Sequence, residues 1–469
     1  MRALSLAIAC AIVFAAPAVA QDMPGMPAQP PKPQPQTQAQ PVQPKPQPAD
    51  QGSMAGMDMS GSHGGDMSGM DMSHMDMSRR GAMTGALGGY PMTREASGTS
   101  WQPDASPHDM RMTGAGDWSL MAHATFDLVY DTQSGPRGGD KTFLAGMAMF
   151  AARRDFGNDN TLNLRAMLSP DPLMGRDGYP LLLQTGETAD GKTPLIDRQH
   201  PHDLVMELSA SWAHRWSSDD SAFLYLGYPG EPAFGPPAFM HRTSGMDDPA
   251  APITHHWLDS THITFGVATA GYVHGDWKVE ASSFTGREPD QNRFDFDRPR
   301  FDSASARVSW NPDPHWALQA SWAHLVSPEE LDPSVNETRF SGSAIYTQKF
   351  GRDGWWSTTA AFGRKQLSDG INLDGWLLES AAKPKLAWTV FARAEQVQSD
   401  ELAIVAGLHG PIVRVREATL GAIHDWRLGA HESVGVGASY SFDFVPAKLS
   451  DAYGSTPHGT LVFLRFKLD

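Results

Sequence analysis

Residues 118–131 read WSLMAHATFDLVYD, and apolar and polar side chains alternate along this stretch. Because successive side chains of a β-strand point to opposite faces, the alternation predicts a strand with one apolar and one polar face. Runs of the same kind recur at 339–350, 385–395 and 434–444. Each is long enough for a tilted strand to cross a bilayer, with its apolar face toward lipid and its polar face toward a lumen.

The connections between the alternating runs are alternately very short and long. The short ones contain residues that favour tight turns and lie at 157–160, 218–220, 274–276, 311–314, 351–354, 383–385 and 428–430. Bacterial outer-membrane barrels place tight turns on the periplasmic side and long loops outside. We therefore predict an all-β chain: a transmembrane antiparallel β-barrel of about 16 strands over residues 114–469. A soluble all-β protein also alternates, but it has no reason to sort its loops by length.

Three segments precede the predicted barrel. Residues 1–20 combine Arg2, an apolar stretch and Ala18-Val19-Ala20, which predicts a secretory signal peptide cleaved after Ala20. Residues 21–53 are rich in Pro and Gln, as expected of a disordered, extended spacer. Residues 54–113 form a Met- and His-rich low-complexity arm. We expect this arm and the last residue of the chain to lie in the periplasm, which requires an even number of strands.

Cysteine usage and charge restrict the partners of the chain. The single cysteine, Cys10, lies inside the predicted signal, so the mature chain forms no disulfide and has to bind a soft metal through Met or His. Loss of the signal removes Arg2 and takes the formal net charge from −16 to −17. This charge disfavours nucleic acid. Outer-membrane lipid and metal ions are the partners we expect.

The tract MAGMDMSGSHGGDMSGMDMSHMDM at 54–77 carries methionine at high density among Gly, Ser and Asp. Thioethers bind soft Cu(I), and imidazoles and carboxylates also accept Cu(II), so the tract predicts a copper-collecting arm. The alternative is a linker with incidental methionine. The candidate ligands are Met54, Met57, Met59, His63, Met67, Met70, Met72, His74, Met75 and Met77.

Two loops, 170–202 and 229–261, are exceptionally long, and such loops often fold into the mouth of a barrel. The first ends with His200 and His202, and the second runs into HHWLDSTH, with His255, His256, Asp259 and His262. If Thr254 caps a short helix, His255, Asp259 and His262 share one face at i, i+4 and i+7, a spacing that presents metal ligands together. We expect the two groups to meet near the mouth and to bind a divalent metal of unspecified identity. A polar network that only stabilises the loops is the alternative.

The signal, the Met-rich arm and the barrel together resemble the copper-resistance outer-membrane proteins of the B type. The barrel resembles more closely a family of uncharacterised bacterial outer-membrane proteins. That second resemblance rests on DRQHPHDLVMEL (197–208), GYPGEPAFGPPAFMHR (227–242), HHWLDSTHITFGVATAG (255–271) and GREPDQNRF (286–294). The first resemblance implies copper handling, with periplasmic copper proteins as further partners. The second implies only fold and location.

The leading hypothesis is therefore an outer-membrane barrel for copper binding, sequestration or export. We do not expect the protein to be an enzyme. No G-x-S-x-G nucleophile elbow, P-loop or dinucleotide-binding fingerprint occurs between a strand and a helix, where these motifs function. One alternative is a general diffusion porin whose Met-rich arm is incidental. The other is a metal-dependent enzyme that uses the His-rich loops. The sequence does not give the oligomeric state, although barrels of this size are often homotrimers.

Overall fold

The computed structural model of the chain describes residues 84–107, 110–157, 159–351, 353–385, 387–403 and 408–469. The predicted signal, the spacer and the candidate copper ligands of 54–77 lie outside these residues. None of the helices in the described ranges is long and apolar enough to cross a membrane.

Strands account for most of the described structure. Their bounds are β1 (Arg111–Ala115), β2 (Trp118–Gln133), β3 (Gly139–Phe156), β4 (Asn160–Leu168), β5 (Tyr179–Thr188), β6 (Pro194–Gln199), β7 (Val205–Arg215), β8 (Asp220–Gly227), β9 (Val267–His274), β10 (Trp277–Phe284), β11 (Ser303–Trp310), β12 (Trp316–Leu325), β13 (Glu337–Phe350), β14 (Gly354–Leu367), β15 (Asn372–Lys385), β16 (Trp388–Ser399), β17 (Val413–Arg427), β18 (Glu432–Phe444) and β19 (His458–Leu468). The helices are two single turns, α1 (His255–Leu258) and α2 (Ser450–Tyr453). Short 3-10 turns occupy Met92–Arg94, Asp171–Met174, Phe239–His241, Ser260–His262 and Ala447–Leu449.

Sixteen of these strands close into a barrel. The wall runs β2-β3-β4, then β7 through β19, each strand antiparallel to the next, and β19 pairs back with β2 through Phe466 opposite Phe126. The short β1 pairs only with the first residues of β2, and β5 and β6 form a separate hairpin. The prediction of an antiparallel barrel of about 16 strands is confirmed.

The two faces of the wall are as the alternation predicts. On β2, Leu128 and Tyr130 are about half exposed, whereas Asp127 and Asp131 are buried. Large apolar side chains also face outward on the other strands, for example Leu224, Leu420 and Val462. An apolar belt around the wall, with polar side chains inside, is what contact with lipid requires.

The short turns and the long loops lie at opposite ends of the barrel, as predicted. The connections after β3, β7, β9, β11, β13, β15 and β17 span only two to five residues and lie at one end of the barrel, but the turn predicted at 383–385 is instead part of β15. All the longer loops lie at the other end. Two connections at that end, 134–138 and 368–371, are shorter than expected because the flanking strands continue further.

The loop at 228–266 lies inside the barrel and fills its lumen. Almost all of its residues are buried, among them Phe234, Ile253 and Leu258. Its backbone amides and side chains bond to strands around the wall, including Ser282 of β10, Ser321 of β12 and Glu395 of β16. The predicted folding of this long loop into the barrel is confirmed.

Residues 84–107 form a second plug segment, at the short-turn end. Leu87, Tyr90 and Trp101 pack against the inward side chains Ala213, Phe223 and Val273. The prediction of a low-complexity arm over 54–113 is therefore wrong for this part, and the folded domain begins before residue 114. Composition misled the prediction because the few aromatic residues of 84–107 find their apolar partners on strands far along the chain.

Candidate functional site

Buried ion pairs fix the loop at 228–266 to the wall. Arg242 is fully buried, and its guanidinium donates to Glu379 on β15 at 2.7 Å and to Asp259 of the same loop at 2.6 Å. Asp247 accepts from Arg465 on β19 at 2.6 Å, and Asp248 pairs with Arg393 on β16 at 3.1 Å. A buried charge is tolerated only when it is paired in this way, so these contacts determine where the loop lies.

The loop histidines that the sequence singled out come together where the loop at 228–266 meets the end of the loop at 170–202. The ring centroids of His202 and His262 are 5.2 Å apart, and those of His255 and His262 are also 5.2 Å apart. His256 lies 5.6 Å from His255 and 6.0 Å from His200. The expected meeting of the groups from the two long loops is thus present in the structure.

The ring nitrogens of three of these histidines are held in a defined orientation. The Nδ1 atom of His202 donates to the Asp171 carboxylate and that of His255 to the Asp259 carboxylate, each at 2.8 Å. The Nδ1 atom of His262 donates to the Asp259 carbonyl, also at 2.8 Å. The Nε2 atoms of His202, His256 and His262 are buried and have no hydrogen-bond partner within the described ranges. His202 and His262 combine both features, one nitrogen held by a carboxylate or carbonyl and the other without a partner, and this is the arrangement that metal-binding histidines use.

One detail of the sequence prediction is wrong. The Thr254 hydroxyl donates to Glu395 at 2.6 Å instead of capping the helix, and α1 ends at Leu258. His255, Asp259 and His262 therefore do not share one helical face. The Asp259 carboxylate already accepts from Arg242 and His255, so it orients His255 and is not an open metal ligand.

A group that sequence reasoning missed lies beside His256. Ligand atoms of His256, Glu288 and Glu329 lie within 4.8 Å of one another. Burial, followed by the negative charge of Glu288, raises the pKa of Glu329 to about 8. A bound cation would offset this repulsion, which makes the group a candidate divalent-metal site. Glu288 stands in the quoted GREPDQNRF stretch, but no spacing rule connects it to His256.

A cavity of about 210 Å³ runs along the inner face of β2 and β3, from the plug segment 84–107 to these histidines. Ala86 and Met92 line one part of it, and His200 and His202 line another. The cavity thus connects His200 and His202, but not the other members of the cluster, with the short-turn end.

Three of the buried histidines, His200, His256 and His262, are neutral at physiological pH. Burial lowers the pKa of His256 to about 3, against the opposing effect of Glu288, and it also lowers the pKa values of His200 and His262. The neutral imidazole is the form that binds metal.

These lowered pKa values predict a stability that falls in acid. The ordinary pKa of histidine is 6.5, so below this pH the unfolded chain is protonated at His256. The folded chain takes up this proton only near pH 3. The stabilisation is complete above pH 6.5 and is lost as the pH falls, by at most about 1.4 kcal/mol per pH unit for each histidine. Urea unfolding in micelles with a chelator, at pH 7 and pH 5, measures the slope. H256Q should reduce the slope, whereas H274Q, at the exposed end of β9, should not; a slope that is the same in H256Q as in the unaltered chain would contradict the assignment.

No known protein-family model and no curated protein matches the chain. Among solved structures, it is similar to OmpF of Salmonella typhi in complex with daunomycin, at 10% identity, over 76% of this chain and 100% of that one, with a TM-score of 0.49. It is also similar to OprB of Pseudomonas putida, at 8% identity over 75% and 94%, with a TM-score of 0.47. An anion-selective porin from Comamonas acidovorans is similar at 10% identity over 75% and 100%, with a TM-score of 0.45. The barrel assignment itself rests on the strand pairing of this chain.

Proposed function

We propose that the chain is a porin-like barrel of the outer membrane whose filled lumen admits only ions and very small solutes. The observation that carries this proposal is the position of the loop at 228–266. A wall of about 16 strands encloses an aqueous channel when its lumen is open. Here the loop and the segment 84–107 occupy that lumen. The apolar belt and the predicted signal peptide support the location in the outer membrane, with the short turns and the N-terminal arm at the periplasm.

Within this class, copper is the cargo that we propose. The support is the density of thioethers and imidazoles in the sequence of 54–77, together with the oriented imidazole of His202, which lines the cavity. The arm would collect the ion at the periplasm, where it would meet periplasmic copper proteins. The barrel would then hold the ion or pass it outward.

A general diffusion porin is the second candidate. The number of strands and the separation of short turns from long loops favour it, since open porins share both features. It requires the loop at 228–266 to leave the lumen. A homotrimer would be compatible with either function.

Transport by the full chain in liposomes separates the two candidates. We expect entry of Ag(I), a redox-inert probe for Cu(I), into vesicles loaded with a thioether-containing dye, and no swelling of vesicles in arabinose. Swelling in arabinose would establish the diffusion porin. Entry of neither probe would reject a conducting role altogether. Empty vesicles and heat-denatured protein are the controls.

A further inference from the structure

The methionines of the folded chain lie on one side of the lumen. No methionine follows Met246, so β9 to β19 contain none. Among the described residues, every methionine except Met112 and Met174 either lines the cavity along β2 and β3 or packs against those that do. Methionine fills gaps in cores, but gap-filling alone has no reason to be confined to one part of the wall.

The strand register aligns these side chains in a row. His123 on β2 lies directly opposite Met149 on β3, and Met149 lies opposite Met167 on β4. Directly opposite residues have Cβ atoms about 4.5 to 5.5 Å apart, within reach of a shared ligand. Met147 and Met167 are buried and form one cluster with Met206, against which Met149 packs.

The loop at 228–266 brings an imidazole to this row. Its 3-10 turn Phe239–His241 packs Met240 against the methionine cluster and places His241 in the lining of the same cavity as Met147 and Met149. His241 also lines a small pocket shared with Met167 and Met206. Its Nε2 atom is buried with no hydrogen-bond partner among the residues that the structure describes.

An unsatisfied imidazole nitrogen among thioethers is costly unless it binds something. Leaving a buried polar atom unpaired costs about 1 to 3 kcal/mol. The nearby cation Arg165 is paired with Glu207 at 2.7 Å, so its charge is compensated. Burial lowers the pKa of His241 to about 3, which keeps this imidazole neutral and able to act as a ligand.

We propose that Met149, Met167 and His241 form a site for a soft monovalent ion, Cu(I), on the lumen wall. Thioether and neutral imidazole ligands select Cu(I) over divalent ions that prefer oxygen. The same cavity continues to the short-turn end past Met121, Met110 and Met92. These thioethers would lead an ion from the arm to the site. The inference deepens the proposed function by naming the oxidation state of the cargo and the residues that bind it.

Binding of Ag(I) to the full chain in detergent tests the site. The arm is made silent by replacing its eight methionines at 54–77, together with Met23, Met26 and Met83, with Leu, and His63 and His74 with Gln, so that the thioethers that remain in the mature chain are those of the described residues. In this background we expect M149L/M167L to lose about one Ag(I) ion per chain at equal free Ag(I), because Leu conserves volume but cannot ligate. The matched control M112L/M174L should keep it. In the arm-silent background with Met149 and Met167 intact, H241Q should weaken the binding of this Ag(I) ion at least tenfold.

A second measurement covers the case in which M149L/M167L does not fold, which heat-modifiable migration on gels would reveal. The arm-silent chain is labelled with selenomethionine, and selenium X-ray absorption is recorded before and after Ag(I) addition. A new selenium–silver scattering path supports the site. An unchanged spectrum, or equal Ag(I) binding by M149L/M167L and its control, shows that the methionines only pack.

The liposome transport assay keeps this inference separate from the proposed function. If M149L/M167L loses Ag(I) binding while the unaltered chain excludes arabinose and admits ions, both proposals stand. Ion passage by a chain that shows no lumen binding would overturn the site alone. Lumen binding by a chain that swells in arabinose would overturn the restricted channel alone.

Discussion

Replacing residues 231–263 with an Asn-Gly turn is expected to raise the single-channel conductance of the barrel several-fold and to permit swelling in arabinose. Gly230 and Thr264 already form an antiparallel bridge, with N–O distances of 3.0 and 2.9 Å, so a tight turn can join them without moving β8 or β9. The deletion removes the segment that fills the lumen, and a wall of about 16 strands then encloses water.

Planar bilayer recordings on the full chain and the deletion variant give the comparison. The matched control replaces the exposed hairpin tip 189–193 with the same turn, which should leave the conductance unchanged. Removing residues 84–107 as well should increase the conductance of the deletion variant further, because that segment covers the short-turn end. A deletion variant that folds but conducts like the unaltered chain would show that the loop does not obstruct the passage.

Arg242→Met is expected to lower the free energy of unfolding of the docked loop by about 3 to 5 kcal/mol. The substitution leaves the carboxylates of Glu379 and Asp259 buried without their cation, and both accept from Arg242 in the folded chain. The loop should undock, and ion conductance should rise with it. Hydrogen exchange of residues 228–266, followed by mass spectrometry, measures the local unfolding.

Arg364→Met is the matched control for this substitution. Arg364 pairs with Asp374 at 2.6 Å, but the side chains are 43% and 27% exposed, so the expected cost is only about 0 to 1 kcal/mol. Equal effects of the two substitutions on exchange in 228–266 would show that the Arg242 pairs do not hold the loop in the lumen.

Part of the candidate site could be predicted from the sequence. The long loops and the high density of histidine in them identified His200, His202, His255, His256 and His262, and the structure brings these residues together. Glu288 and Glu329 could not be found in this way. They come from two further loops, and their approach to His256 depends on how those loops fold over the barrel.

The sequence by itself determined the wall of this protein. Alternation with a period of two fixes which side chains face lipid, and the chemistry of short turns fixes which ends of the strands are joined, so both follow from neighbours along the chain. Only the tertiary structure decided what occupies the lumen. The pairing of Arg242 with Glu379, the packing of Met240 against the cluster of Met147, Met167 and Met206, and the packing of Trp101 against Phe223 each join residues far apart in sequence. No local pattern encodes such contacts, because a buried charge, thioether or ring is stabilised by whichever partner the closed barrel brings to it.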